Sequence, residues 1–178
     1  MKTRLWGHFA SLLIAPSLVA VVAVTNTSAA TSLTDSDKAF LDAIATSDVA
    51  EVELSRAALA RLQTPAVNSL AQAITSDHNQ NYQALVDLCR QKQYAVAPQL
   101  DAYHGEVLRK INAAPSAQAA EQIYIDAVTA DQSALNGLLE QTAGNSNDTE
   151  VARFASDLLT MVKSHAATAE QLSASSRQ

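Results

Sequence analysis

Apolar residues recur along most of the chain at the three- and four-residue intervals of amphipathic helices, and no stretch shows the alternation expected of a half-buried strand. Prolines stand at the joints between these segments. The clearest joint is Thr64-Pro65, where a capping residue precedes a proline at the first helical position. The pattern predicts helices at about residues 34–63, 65–92, 98–113, 116–143 and 148–173.

The four long helices would each extend about 40 Å, at about 1.5 Å per residue. Thr34 should begin the first helix in a capping box with Asp37, and Gly144 should end the third long helix in the left-handed conformation. Because almost no loop separates the first two helices, they should form a hairpin. We therefore expect an all-α fold, an elongated four-helix bundle with a short extra helix in the connection between long helices 2 and 3.

The amino-terminal 30 residues have the pattern of a cleaved secretory signal. Met1 to Arg4 is a short basic start, Leu12 to Val24 is an apolar run, and Ser28-Ala29-Ala30 supplies the small residues of a cleavage site. The alternative is a retained membrane anchor, but the apolar run is only about 13 residues long and a spanning helix needs about 20. We predict a single mature domain over residues 31–178, located in the periplasm or secreted, with no integral membrane segment after signal removal.

Charge and cysteine content restrict the partners. Removing residues 1–30 takes away Lys2 and Arg4 but no acidic residue, so ten basic and 18 acidic residues remain and the formal net charge changes from −6 to −8. This balance disfavours nucleic acid and anionic membrane surfaces, including membrane contact through the short helix at 98–113. The charge does not disfavour a periplasmic protein partner or a homo-oligomer. Cys89, the one cysteine, shares the apolar face of its helix and should be buried rather than reactive.

Each long helix is predicted to turn an ionisable side chain toward the core. His78 lies in the middle of the apolar face of the second helix, and Glu51 and Asp48 fall within the apolar stripe of the first. Asp131 on the third long helix and His165 on the fourth occupy the same kind of position. An unpaired buried charge costs several kcal/mol, so these groups should pair, shift their pKa or bind something.

Two interpretations follow. In the first, Glu51 and His78 form a buried hydrogen-bonded pair that fixes helix register, because about 18 and 20 Å of helix place them level across the turn at Gln63-Thr64. In the second, Glu51, His78, Asp131 and His165 hold a transition metal, since carboxylates and imidazoles from facing helices form such sites. Asp131 and His165, however, are out of register by about 8 Å.

A di-iron centre and other catalytic machinery lack support. Ferritin-like di-iron proteins place a glutamate three residues before each histidine ligand, where this chain has Thr75 and Val162. The sequence contains no phosphate loop, no CxxC or HExxH motif and no nucleophile elbow. His104 on the short helix should be a surface or packing residue.

The chain resembles an exported bacterial family labelled as predicted outer-membrane proteins, a ferritin-like domain of unknown function. The resemblance spans about residues 37–172 and rests on Asp37-Lys38-Ala39-Phe40, Glu51-Val52-Glu53-Leu54, Asp77-His78 with Asn81 and Leu85, Tyr124 with Val128 and Asp131, and Leu158-Leu159 leading to His165 and Leu172. It implies a ferritin-like four-helix fold and export. The family commonly has histidine where this chain has Gln132, which weakens any inherited metal site.

Together these features predict an exported, non-enzymatic binding or envelope-stress component of unknown ligand. The alternative is a transition-metal-binding protein.

Overall fold

The computed structural model describes residues 32–176, which form helices and no strands. The helices are α1 (Asp35–Leu59), α2 (Pro65–Gln91), α3 (Ala102–Ala113), α4 (Ala117–Asn145) and α5 (Thr149–Ser176). The predicted all-α fold is confirmed. Within this part of the chain, no helix is both long enough and apolar enough to cross a membrane. The predicted signal at 1–30 lies outside the described residues.

Side-chain caps set most of the helix starts. The predicted box at α1 is present: the Thr34 hydroxyl accepts from the backbone N–H of Asp37 at 3.1 Å, and the Asp37 carboxylate accepts from the backbone N–H of Thr34 at 3.0 Å. Asp101 and Ser116 cap α3 and α4 in the same way as Thr34. The cap at Asp101 explains why α3 begins at Ala102 rather than at about residue 98.

Three predicted helix ends were wrong. α5 continues to Ser176, three residues beyond its predicted end at about residue 173. α1 ends at Leu59, four residues before its predicted end, and α4 continues through Gly144, which does not adopt the left-handed conformation. That conformation occurs instead at Gln93, with φ 55°, just after α2. There the backbone N–H groups of Gln93 and Tyr94 donate to the carbonyls of Arg90 and Cys89, which is the Schellman ending of a helix.

Hydrogen bonds at the two ends define how the helices run. At one end Glu121 of α4 accepts from the backbone N–H groups of Gln63 and Thr64 in the α1–α2 turn. At the other end Lys92, after α2, pairs with Asp148, before α5, at 2.6 Å. α1 and α4 are therefore antiparallel neighbours, as are α2 and α5. The connection that carries α3 returns along the bundle between the two hairpins.

The α1–α2 hairpin packs against the α4–α5 hairpin along two lines. We call the line between α1 and α4 the α1/α4 seam, and the line between α2 and α5 the α2/α5 seam. α3 packs on the α1/α4 seam, where it contacts both helices and buries Val107 and Ile111. The α2/α5 seam has no such cover among the described helices. The two seams therefore differ in whether a further helix covers them.

Two apolar clusters fill the interior, one toward each end. The first is built around Leu41, Ile44, Leu85, Leu139 and Val162, and the second around Leu54, Ile74, Ile111, Tyr124 and Val128. Cys89 is buried in the first cluster, as predicted, and burial raises the pKa of its thiol to about 11. The positions between the clusters carry polar side chains on all four long helices.

Candidate functional site

A polar layer crosses the middle of the bundle between the two apolar clusters. Its buried members are Asp48 and Glu51 of α1, His78 of α2, Gln132 of α4 and His165 of α5. The structure thus buries three of the four predicted site residues, Glu51, His78 and His165. The layer interrupts the core on every long helix, and its bonds link α1 to α2 and α4 and link α5 to α2.

His78 bonds to Asp48. Its Nδ1 lies 2.8 Å from Asp48 Oδ1, and Asn81 donates to Asp48 Oδ2 at 2.8 Å. The prediction of a direct Glu51–His78 hydrogen bond was wrong, because α1 ends at Leu59 instead of at about residue 63. With the earlier end, the position on α1 that lies beside His78 is about 6 Å closer to the amino terminus of α1, at 1.5 Å per residue. This shift is close to one helical turn.

The pKa values of both groups in the His78–Asp48 pair are raised, for different reasons. Burial opposes charge on His78, but the bond to Asp48 and the carboxylate of Glu51 outweigh burial and raise the pKa of the imidazole. Burial also raises the pKa of Asp48, despite the bonds from His78 and Asn81. The pair is therefore a buried link between α1 and α2 rather than an accessible base.

Glu51 links α1 to α4. Gln132 Nε2 donates to Glu51 Oε1 at 3.0 Å and lies 3.4 Å from His78 Nε2. Within residues 32–176, Glu51 Oε2 and Gln132 Oε1 have no hydrogen-bond partner. Burial raises the pKa of Glu51 to about 7; the charge of His78 opposes this rise and that of Asp131 adds to it. Glu51 is consequently a carboxyl group that changes charge near neutral pH.

His165 carries the polar layer to the surface at the α2/α5 seam. Its Nε2 lies 3.0 Å from Oδ2 of Asp77, whose side chain is 40% exposed, and its ring centroid is 5.8 Å from that of His78. Burial and the neighbouring His78 lower the pKa of His165, although Asp77 opposes the shift. In the described part of the chain, His165 Nδ1 is buried without a partner.

On α4 the side chain that belongs to the buried polar layer is that of Gln132, not that of Asp131. Asp131 lies at the edge, where its Oδ2 is 3.4 Å from His104 Nε2 on α3. The prediction that Asp131 is at the centre of the inward face was wrong by one residue, or about 100° of helix rotation, because α4 packs against α3 as well as α1 and α5. His104, predicted to be a surface or packing residue, is partly buried, and the carboxylate of Asp131 raises the pKa of its ring.

The residues predicted as metal ligands were Glu51, His78, Asp131 and His165. In the structure their contacts diverge: His78 faces Asp48, His165 faces Asp77, and Asp131 pairs with His104. Over residues 32–176, no group of three or more His, Cys, Asp or Glu side chains is arranged to hold a metal ion.

The open α2/α5 seam forms a groove of about 660 Å³ beside His165. Its apolar lining consists of Ala84, Phe154, Leu158 and Met161, and Asp77 and Asp157 lie on opposite walls. Helical periodicity did not identify the groove, since it cannot distinguish a half-buried position under a neighbouring helix from one beside an open seam. The one sequence signal for Asp77 was its place next to His78 in the family resemblance.

A family model described as a domain of unknown function, DUF4142, matches residues 22–172. The chain belongs to this family. The membership agrees with the resemblance to a family of unknown function, while the export and ferritin-like character that the resemblance implied remain predictions. No curated protein matches the chain.

The DUF4142 fold is also found in a solved structure, a DUF305 fragment from Deinococcus radiodurans. The similarity has a TM-score of 0.69 at 15% sequence identity, and it covers 79% of this chain and 97% of the fragment. At this identity the similarity shows a shared helical fold alone.

Proposed function

We propose that this DUF4142 protein is an exported, non-enzymatic binding component of the bacterial envelope, and that its ligand occupies the α2/α5 groove. The groove carries this proposal. It is an uncovered seam in a bundle whose opposite seam is covered by α3, and it places apolar side chains next to a polar pair, Asp77 and His165. Binding sites commonly combine an apolar surface with a few fixed polar groups.

The polar layer supports a structural role for the interior and a binding role for its edge. The Asp48–His78 and Glu51–Gln132 bonds connect α1 to α2 and α4 inside the core. Asp77, which bonds to His165 at the edge of the layer, has a substantially exposed carboxylate. A ligand in the groove would therefore meet a surface whose position is fixed by buried bonds.

Photo-crosslinking tests the binding proposal. A photoreactive amino acid at Thr160, an exposed residue of the groove, should give discrete adducts in cells of the source organism. The same amino acid at Ala130, exposed on α4, is the matched control. Adducts of equal intensity at both positions, or adducts at neither, would contradict a binding role for the groove.

Export is proposed from the sequence of residues 1–30, with cleavage after Ala30. Cell fractionation and amino-terminal sequencing should find a mature chain beginning at Thr31 in the periplasm or medium. A chain that keeps residues 1–30 and stays in the membrane fraction would favour the retained anchor instead.

A transition-metal-binding protein is the second candidate function. The observation in its favour is that Glu51 Oε2 and His165 Nδ1, both in the layer of His78, are buried without hydrogen-bond partners inside the described range. Protein isolated without an affinity tag should then retain about one equivalent of metal and lose it in His165→Ala. A metal-free protein whose melting temperature ignores added Fe, Mn, Zn and Cu would contradict this function.

A further inference from the structure

The α2/α5 groove is long enough for a helix. A second hollow of about 320 Å³ continues it, and Ala84, Phe154 and Asp157 line both parts. Along α2 the combined lining runs from Asp77 to Gln91, which is about 21 Å at 1.5 Å per residue. A helix of about 14 residues has this length.

The molecule already contains a helix bound to an equivalent surface. α3 has 12 residues, and it packs Val107 and Ile111 onto the α1/α4 seam, which is also formed by two antiparallel helices. The α2/α5 seam has a comparable apolar floor, with Leu158 buried and Phe154 and Met161 partly buried. The geometry of a short helix on a helix pair is therefore compatible with the open seam.

Charge distinguishes the two ends of the groove. In the second hollow, at the end of the groove away from His165, Asp87 is paired with Arg90 at 3.0 Å and Glu150 with Lys92 at 2.5 Å. Arg153 adds a positive charge there. In the part of the groove that includes His165, the charged residues of the lining are Asp77 and Asp157, and both are acidic. Asp77 bonds to His165, whereas Asp157 also lines the second hollow and lies eight residues from His165, about 12 Å along α5.

Basic side chains about two helical turns apart on the bound helix would each meet one of these carboxylates, since Asp77 is level with His165 and Asp157 lies about 12 Å further along α5. The overall negative charge of the protein would favour the approach of such a partner.

Resting on the proposed function of the groove, we propose that its occupant is an amphipathic basic helix of a partner protein. The helix is about 14 residues long. It places apolar side chains, spaced at i, i+3 or i+4 and i+7, on Phe154, Leu158 and Met161, and a lysine or arginine beside each of Asp77 and Asp157. This is recognition of a helix in a groove, with the carboxylates fixing the direction of the helix.

A displayed library of random 15-residue peptides tests the proposal on the mature protein. Ala84→Trp fills the groove from an exposed position without removing a contact, and Ala130→Trp is the matched control on α4. Peptides enriched on the wild type and on Ala130→Trp, but not on Ala84→Trp, should share the apolar helical spacing and at least one basic residue.

Groove-dependent peptides that are acidic or lack helical spacing would overturn the proposed partner while leaving the groove as a binding site. Enrichment that ignores Ala84→Trp would also overturn the proposed partner. In that case the crosslinking at Thr160 decides the function of the groove independently.

The carboxylates are tested with the consensus peptide. By calorimetry, Asp77→Asn combined with Asp157→Asn should weaken binding about tenfold and reduce its salt dependence, because two charge pairs at the rim are lost. Circular dichroism of the free double variant controls for folding. An affinity and a salt dependence equal to those of the wild type would overturn the role of these two acids.

Discussion

The two seams of the bundle are built from similar helix pairs, but only one is completed by the described chain. α3 covers the α1/α4 seam and buries Ile111 there, whereas the α2/α5 seam keeps Phe154 and Met161 partly exposed in a groove. The bonds of the polar layer also differ between the two seams. Glu51 and Gln132 bond inside the α1/α4 seam, whereas His165 bonds to the half-exposed Asp77 at the α2/α5 seam. One seam serves the fold, and the other is available for binding.

The largest expected difference concerns two aspartate–histidine pairs. Asp48→Ala should destabilise the protein by about 3–5 kcal/mol, because it breaks a buried pair and leaves His78 and Asn81 without their acceptor. Asp77→Ala, at the groove, should cost less than about 1 kcal/mol, since its pair is partly solvated. Urea unfolding of both variants measures the difference, and equal losses would contradict the distinction between the seams.

Truncating an apolar side chain on each seam gives the next comparison. Ile111→Ala should lower the free energy of unfolding by about 2–5 kcal/mol, because this α3 side chain is fully buried against the α1/α4 seam. Met161→Ala, in the groove, should cost about 1 kcal/mol or less, since water already reaches it. The distinction fails if Met161→Ala proves as destabilising as Ile111→Ala in the same urea titration.

The seams should also respond to pH in opposite directions. The native pKa of Glu51 is raised from 4.5 to about 7, so its stabilising contribution is present below about pH 4.5 and is lost as the pH rises through about 7. The loss approaches about 3 kcal/mol, and Glu51→Gln should remove it. The pKa of His165 is lowered, so its contribution is present above about pH 6.5 and is lost as the pH falls; His165→Asn should remove that loss.

Unfolding free energies measured between about pH 5 and pH 8 check both slopes. His78 and His104, whose pKa values are raised, will leave part of the decline toward high pH in Glu51→Gln. An unchanged pH profile in Glu51→Gln would show that this carboxyl does not titrate in the native core.

The smallest expected effect lies where the connection to α3 leaves α2. Gln93 adopts φ 55°, which suits glycine, so Gln93→Gly should stabilise the protein by up to about 1 kcal/mol. Gln83→Gly, at an exposed position within α2, should destabilise it by about 1 kcal/mol. Thermal unfolding distinguishes the two variants, and a loss of stability in Gln93→Gly would contradict the assigned helix ending.

The sequence allowed the bundle to be predicted because local signals agreed with one another. Apolar periodicity located the five helices, and Thr34 and Thr64-Pro65 marked two starts within a residue of those observed. Gly144 misled, since its position near the end of α4 suggested a left-handed ending that the helix does not use there. A cap at Asp101 was missed because Pro98 offered a competing helix start.

The candidate site was predicted only in part, because its pairing depends on distances that a local pattern does not contain. The inward positions of Glu51, His78 and His165 followed from periodicity. The partner of His78 was not predicted correctly. The predicted end of α1 was four residues too late, and this error shifted the α1 position expected beside His78 by about one turn. The pairing of His104 with Asp131 requires knowing that α3 folds onto α4, which no local pattern indicates.

Ala84→Trp, in protein that carries the photoreactive group at Thr160, shows whether the α2/α5 groove serves binding rather than folding. Crosslinked adducts should disappear while the free energy of unfolding stays within about 0.5 kcal/mol of the wild type, as for an exposed substitution. Adducts that persist unchanged in the stable, folded variant would contradict a binding role.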